Sequence, residues 1–288
     1  MFVKIIMKIN ILKKEEKLHK KVNKNSNKKI DFRKLTREQL IKKIKWNLYR
    51  KSSFSKKKLD SIKKACKYTD KLYTIVLKNF YKFETENEVK RFMDAWIKKK
   101  GLMKAFPTIV ASGKNAFEIH HKPTNDKLVH GFCYLDFGVR VNGYCSDMTR
   151  TVFIGKPTKQ DKELYKLVYD SQMLGIRNLK LGKRYMEIDL DSRNFLGKYK
   201  KYFIHSLGHG LGKWIHMRPR VSPLSGEVVM VNDIVTVEPG IYIKGKLGIR
   251  IEDDCYINKK GKVEVLSKST KRLICLHEKR DKRGYVLG

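Results

Sequence analysis

No stretch of this chain runs through roughly 18 to 20 apolar residues without a charge, the length a membrane-spanning helix requires, so no membrane partner is expected. The start, MFVKIIMKINILKKEEK, is apolar but broken by Lys4 and Lys8. Most of its charge follows the apolar part, the reverse of a secretory leader. Cysteine is sparse: Cys66, Cys133, Cys145, Cys255 and Cys275 are odd in number, scattered and without a CxxC pair. That argues against a disulfide framework and for a reducing, cytoplasmic setting. Cys145 reads as a small buried strand residue, since nothing near it in sequence would activate a nucleophile. Acidic residues are also few, 29 against 66 Lys and Arg, which leaves a net charge of +37. Such a charge favours contact with phosphate polyanions. Lysine outnumbers arginine about three to one, however, and is spread along the chain rather than gathered with aromatics as in a dedicated RNA surface. The expectation is therefore nonspecific nucleic-acid contact.

What is present suffices for a large core: 288 residues, 41% of them hydrophobic, fit one domain with an appendage. The densest basic stretch, Lys13 to Lys64, contains LHKKVNKNSNKKIDFRK, which reads as solvated linker, and RKLTREQLIKKIKWNLYRK, a basic helix with an apolar stripe of Leu40, Ile41, Ile44 and Leu48. Downstream, Leu59, Ile62, Cys66, Thr69, Tyr73, Val76 and Phe80 recur at steps of three and four, one face of a helix. A second helix starts at a capping box of Thr85 and Glu88, carries Val89, Phe92, Trp96 and Ile97 inward, and stops at Gly101. Strand-like runs follow in AFPTIVASG, FCYLDFGVRVN and TRTVFIG. Thr158 then caps a helix bearing Leu164, Leu167, Val168 and Leu174, and a shorter helix covers Tyr185 to Leu196. A second strand set runs through KKYFIHSLGHGLG, DIVTVEPGIYI and GIRIEDDCYI, so two helices followed by strands occur twice, an α+β pattern.

Five residues in five short motifs supply four carboxylates and one imidazole: Asp136 in YLDFG, Asp147 in CSDMTRT, His209 in SLGHGLG, Glu238 in TVEPG and Glu252 in IRIEDD. Oxygen-rich sets with one imidazole suit harder divalent ions, manganese foremost, with cobalt, iron or zinc as alternatives, whereas a structural zinc site would want thiolates. Two such ions bring four positive charges against four carboxylates. The hairpin-like VRVNGYCS would place Asp136 and Asp147 on adjacent antiparallel strands. Spacing alone does not join His209, Glu238 and Glu252 to them.

The segments FPTIVASG, YCSDMTRTVFIGKP, IHSLGHGLG, TVEPGIY and GIRIEDD, in this order, resemble the pita-bread metallopeptidases, the family of methionine aminopeptidases, Xaa-Pro aminopeptidases and prolidases. The resemblance covers roughly Leu59 to Arg272. It implies a curved antiparallel sheet with flanking helices in two pseudo-related halves. It also implies a catalytic domain over 57–288, while the composition of 1–56 reads as a basic, partly disordered segment. By the same resemblance two divalent ions are held: Asp136 binds one, Asp147 and Glu252 bridge both, and His209 and Glu238 complete the second, with Glu238 also the general base. His120, His205 and His216 fall where the family places imidazoles that contact substrate or stabilise the tetrahedral intermediate. His205 and Arg250, taken as a substrate-binding residue, match the proline branch, as does HHKPTNDKL, in which His120 rather than His121 is assigned. Two positions depart from the pattern: Met217 stands where an acidic residue is usual after His216, and Lys213 where an apolar one is usual. The segment before Leu59 is short for the proline branch, so the chain resembles methionine aminopeptidases in size. The expected function is removal of one amino-terminal residue from peptides with proline second. The alternatives are a methionine aminopeptidase and a catalytically weak pseudo-peptidase that binds nucleic acid or ribosomes.

Overall fold

The computed structural model describes residues 54–276 and the backbone of 285–287. The basic helix expected within 33–51 and nearly all of the 1–56 segment lie outside the described residues. Helix α1 (Lys56–Asn79) is capped by Ser55, whose Oγ accepts from Lys58 N–H at 3.0 Å. Of the expected stripe, Ile62, Cys66, Thr69, Tyr73 and Val76 are inside, Leu59 is half-buried and Phe80 is buried just past the helix end, while Ala65, Leu72 and Leu77 widen the apolar face. Helix α2 (Glu86–Lys99) begins at Thr85, whose side chain accepts from Glu88 N–H. Glu88, however, turns to Glu84 N–H at 2.6 Å instead of Thr85, so only half of the expected capping box forms. The complete box lies at Thr158 and Asp161, at the start of α3 (Lys159–Arg177). Helix α4 (Tyr185–Phe195) follows. Among the described residues no helix is long and apolar enough to cross a membrane.

The first half builds β1 (Met103–Lys104), β2 (Ile109–Ser112), β3 (Gly131–Phe137), β4 (Val139–Val141), β5 (Tyr144–Cys145) and β6 (Met148–Ile154). The second builds β7 (Gly208–Gly210), β8 (Met217–Val221), β9 (Ile234–Val237), β10 (Gly240–Ile243), β11 (Leu247–Arg250), β12 (Asp253–Ile257) and β13 (Val263–Val265). Each half owns a five-stranded sheet, with orders β15-β14-β6-β3-β2 and β13-β12-β9-β7-β8. Among the described residues the strand pairings are antiparallel with one exception. Strand β14 (Ile274–Leu276), paired to β15 (Tyr285–Leu287), returns from the end of the second half to lie parallel to β6, Cys275 opposite Phe153.

Period-two alternation decides which way the first sheet presents its chemistry. Cys133, Leu135 and Phe137 of β3 pack with Met148, Val152 and Ile154 of β6 against the apolar faces of α1 and α2. The intervening Phe132 and Phe153 join the other core, that of α3, α4, β9 and β11. Asp136 shares the parity of Phe132, so it faces the second half. Asn142 and Gly143, at φ 51° and 79°, make the tight β4–β5 turn that brings the chain back beside Asp136. Gly248 of β11 is among the glycines fixed by close contact: a Cβ there would sit 1.8 Å from the carbonyl oxygen of Ala116.

Candidate metal centre

Strand register brings the first two carboxylates together. Asp136 pairs across the ladder with Thr149, and Asp147 precedes that strand by one residue. The second sheet supplies the rest: His209 from the middle of β7, Glu238 just after β9, and Glu252 between β11 and β12. Thr236 ties two of them, its Oγ1 accepting from His209 N–H at 3.1 Å and donating to Glu238 Oε1 at 3.1 Å. Asp147, His209 and Glu252 each offer a ligand atom, all within 4.8 Å of one another. His209 Nε2 lies 3.3 Å from Glu238 Oε1 and 3.6 Å from Asp147 Oδ2. The five expected ligands therefore converge where the two halves meet.

The electrostatics are those of a crowded anion cluster. Burial pushes Asp147 well above the usual carboxylate range, and Glu252 and Asp136 push it further. Glu252 is likewise raised, by burial and then by Glu238 and Asp136. Asp136 is raised by burial despite the Arg250 guanidinium 2.6 Å from its Oδ2. Burial works against ionisation of Glu238 too, but the hydrogen bond and charge of His209 win and hold it at about 2. His209 is raised in turn, its burial outweighed by Glu238. Two buried carboxylate oxygens here, Asp136 Oδ1 and Glu252 Oε1, have no hydrogen-bond partner. Such orphans are costly unless a cation meets them. Hard oxygen donors, a single imidazole and two unpartnered lone-pair sets together fit divalent ions.

Behind the ligands stands a layer that the sequence reading did not pick out. Thr149 Oγ1 donates to Glu252 Oε2 at 2.7 Å and accepts from Arg250 Nε at 3.0 Å. Asp254 Oδ2 accepts from Asp147 N–H at 2.9 Å and from the Cys66 thiol at 3.3 Å. Burial lifts Asp254 to about 7. Arg150, 1% exposed, grips the carbonyl of Glu252 at 2.5 Å and the Asp253 carboxylate at 2.6 Å. The IEDD run adjoining Glu252 and the TRT after Asp147 were the available signals for these residues.

Arg250 lies inside the site, its guanidinium donating to Asp136, Thr149 and the Tyr242 hydroxyl (2.8 Å) and stacked 4.5 Å over the Tyr134 ring. His205 is half-buried, its Nδ1 2.8 Å from the Ser206 carbonyl and its Nε2 2.8 Å from Tyr242 Oη. A carbonyl only accepts, so Nδ1 carries the proton and Tyr242 donates to Nε2. Burial, reinforced by Arg250, lowers His205 to about 4 and keeps it neutral. His216 is exposed, with its ring edge-on to His209 at 4.5 Å, and is lowered by partial burial and by His209. His120 is exposed, whereas His121 is buried against Glu86, away from the ligands. Met217 opens β8 opposite Gly210 and is half-buried, while Lys213 is exposed with its carbonyl accepting from Arg140. Cys145 is fully buried and its thiol is pushed up by burial, consistent with a packing role.

A two-halved α+β fold that gathers four carboxylates and a histidine between its sheets defines a metallopeptidase of the pita-bread type. The chain belongs to metallopeptidase family M24, whose model matches residues 60–259. It is 40% identical over 221 residues to an uncharacterized peptidase of Methanocaldococcus jannaschii, covering 74% of this chain and 63% of that one. To a Xaa-Pro dipeptidase of Pyrococcus horikoshii it is 35% identical over 224 residues, 76% of this chain and 64% of the relative. Among solved structures, a recombinant prolidase from Thermococcus sibiricus superposes with a TM-score of 0.74 at 33% identity, covering 77% of this chain and 62% of that one. The chain thus spans a little under two thirds of the length of these relatives.

Proposed function

We propose that residues 57–288 form the catalytic domain of a dinuclear-metal aminopeptidase that removes one residue from peptides with proline in the second position, with residues 1–56 a basic appendage. The observation that carries this reading is the convergence of Asp147, His209 and Glu252 within 4.8 Å, flanked by Glu238 and by Asp136 in the grip of Arg250. Asp136 would hold one ion, His209 and Glu238 the other, and Asp147 and Glu252 both. Divalent ions bound there, manganese foremost and cobalt, iron or zinc as alternatives, supply Lewis acidity and lower the pKa of water. The protein's own part is proton traffic and orientation. Glu238, kept ionised and oriented by His209 and Thr236, takes the proton of the attacking water and passes it to the leaving nitrogen. The proline nitrogen, part of a tertiary amide, leaves as a secondary amine once it receives this proton. His120 and His216, both exposed, donate to the substrate carbonyl oxygen as negative charge develops on it. His205 is neutral with Nδ1–H committed to Ser206, and meets substrate as part of the wall it forms with Tyr242. Arg250, bonded once from each guanidinium nitrogen to Asp136, Thr149 and Tyr242, serves substrate binding by fixing that wall.

Support for proline as the second residue comes from the Xaa-Pro dipeptidase and prolidase among the relatives. The test is a panel of Ala-Pro-Gly, Leu-Pro and Met-Ala-Ser with the Mn²⁺- or Co²⁺-loaded protein. Faster turnover of the two proline peptides supports the reading. Ready cleavage of Met-Ala-Ser with both proline peptides untouched replaces it with methionine aminopeptidase activity.

A further inference from the structure

One buried carboxylate outside the ligand set has no part in the chemistry above. Glu86, the first residue of α2, is 0% exposed. Its Oε1 accepts from Ser112 N–H at 2.9 Å and Asn115 Nδ2 at 3.2 Å. Its Oε2 accepts from His121 Nε2 at 2.7 Å, Thr124 N–H at 3.1 Å and Thr124 Oγ1 at 3.3 Å. Five donors on a group with about four lone-pair positions leave it saturated. An ionised carboxylate at a helix start is also favoured by the helix dipole. All the donors come from one stretch, 112–124. After Ser112, which closes β2, the stretch has only the 3-10 turn Gly113–Phe117 and no strand pairing to hold its shape. His120 lies inside it. The same stretch is braced from the metal side, where Tyr134 O–H donates to the Glu118 carbonyl at 2.6 Å and the Tyr134 ring lies under Arg250.

We propose that Glu86, acting through the buried His121, is a positioning residue that sets the place at which His120 meets substrate. Of the adjacent pair His120 and His121, one imidazole is the anchor and the other the working group. This rests on the reading of His120 as a substrate-contacting residue. Glu86→Gln keeps the shape but turns an amide donor toward converging donors, so the stretch loses its fixed point.

The experiment compares the full-length Mn²⁺-loaded wild type with Glu86→Gln, His121→Gln, His120→Ala and the Glu86→Gln/His120→Ala double variant. The readouts are amide exchange at Ser112 and Thr124, the melting shift induced by Mn²⁺, and kcat/KM for Ala-Pro-Gly. The expected result is exchange faster by about tenfold or more at those two amides in Glu86→Gln with a wild-type Mn²⁺ shift. The rate should fall as far as in His120→Ala, about 10²-fold, and no further in the double variant. Unchanged exchange, or losses that multiply in the double variant, overturns the proposal alone. A His120→Ala protein with wild-type rate overturns the His120 reading and the proposal with it. If Glu86→Gln does not fold, His121→Gln, singly and combined with His120→Ala, is read by the same criteria.

Discussion

Replacing Asp147 by asparagine should raise the melting temperature of the metal-free protein while abolishing the rise that Mn²⁺ induces in the wild type. Asp147 is 4% exposed, and apart from burial the influences that weigh most on it are Glu252, Asp136, Asp254 and Glu238, all carboxylates. Its side chain makes no hydrogen bond among the described residues. The nearest cationic partner, His209 Nε2, is 3.6 Å away, beyond hydrogen-bonding range. An uncharged amide of the same size therefore loses little and relieves repulsion between buried anions. With metal the sign reverses. An ion present at about 100 times its dissociation constant stabilises the folded state by about 2.7 kcal/mol per site. Two sites give about 5 kcal/mol, which for a chain of this size is a rise of roughly 10 to 20 °C. The assay is thermal unfolding after exhaustive chelation and then across a Mn²⁺ titration, with peptide turnover measured on the same samples. A metal-free Asp147→Asn protein that melts below the wild type refutes the crowding argument. Full turnover of the chelated variant refutes the two-metal assignment.

Stability should also fall in acid through His205. Its folded pKa of about 4 lies below the ordinary 6.5, so its contribution is complete above about pH 6.5 and erodes as the unfolded chain alone takes up a proton between 6.5 and 4, by at most about 3 kcal/mol. Urea unfolding at pH 7 and pH 4 checks this, and a His205→Gln protein with the same pH loss as wild type counts against it. Gly248→Ala should cost about 3 kcal/mol and slow turnover, because a Cβ would meet the Ala116 carbonyl and dislodge the stretch bearing His120. Wild-type melting and rate would contradict that. Arg150→Met leaves Asp253 short of its closest charge partner inside the protein and should destabilise by about 3 to 5 kcal/mol, measured by urea unfolding. Removing residues 1–56 should weaken RNA retention and flatten its salt dependence, and wild-type binding should vanish at a few hundred millimolar salt. A tight complex with one RNA surviving such salt would contradict nonspecific contact.

The helices were legible because their apolar faces repeat at a local period, and the α1 stripe from Ile62 to Val76 is inside as the spacing predicts. Asp136 and Asp147 were legible as neighbours through the Asn142–Gly143 turn between them. Their meeting with His209, Glu238 and Glu252 was not, since it depends on the docking of two sheets, and the motif resemblance supplied it. Thr149, Asp254 and Tyr242 escaped for the same reason in sharper form. Thr149 and Glu252 are 103 residues apart, and Asp147 and Asp254 are 107 apart. No window of sequence contains both partners. Glu86 was hidden differently: an acidic residue in the first turn of a helix already has a local explanation, which masks its long-range role.

The parallel seam between β6 and β14 sets a timetable. About 120 residues separate Phe153 from its partner Cys275. At a synthesis rate of roughly 5 to 20 residues per second, the free edge of β6 waits some 6 to 24 seconds for its neighbour. During that interval the first sheet exposes a strand of seven consecutive buried residues, Met148–Ile154, along an unpaired edge. The same strand adjoins Asp147, so a nascent chain holds one of its ligands ready long before Glu252 exists to oppose it. Assembly of the site thereby waits for synthesis of the second half, and the waiting edge is where a chaperone has the most to protect.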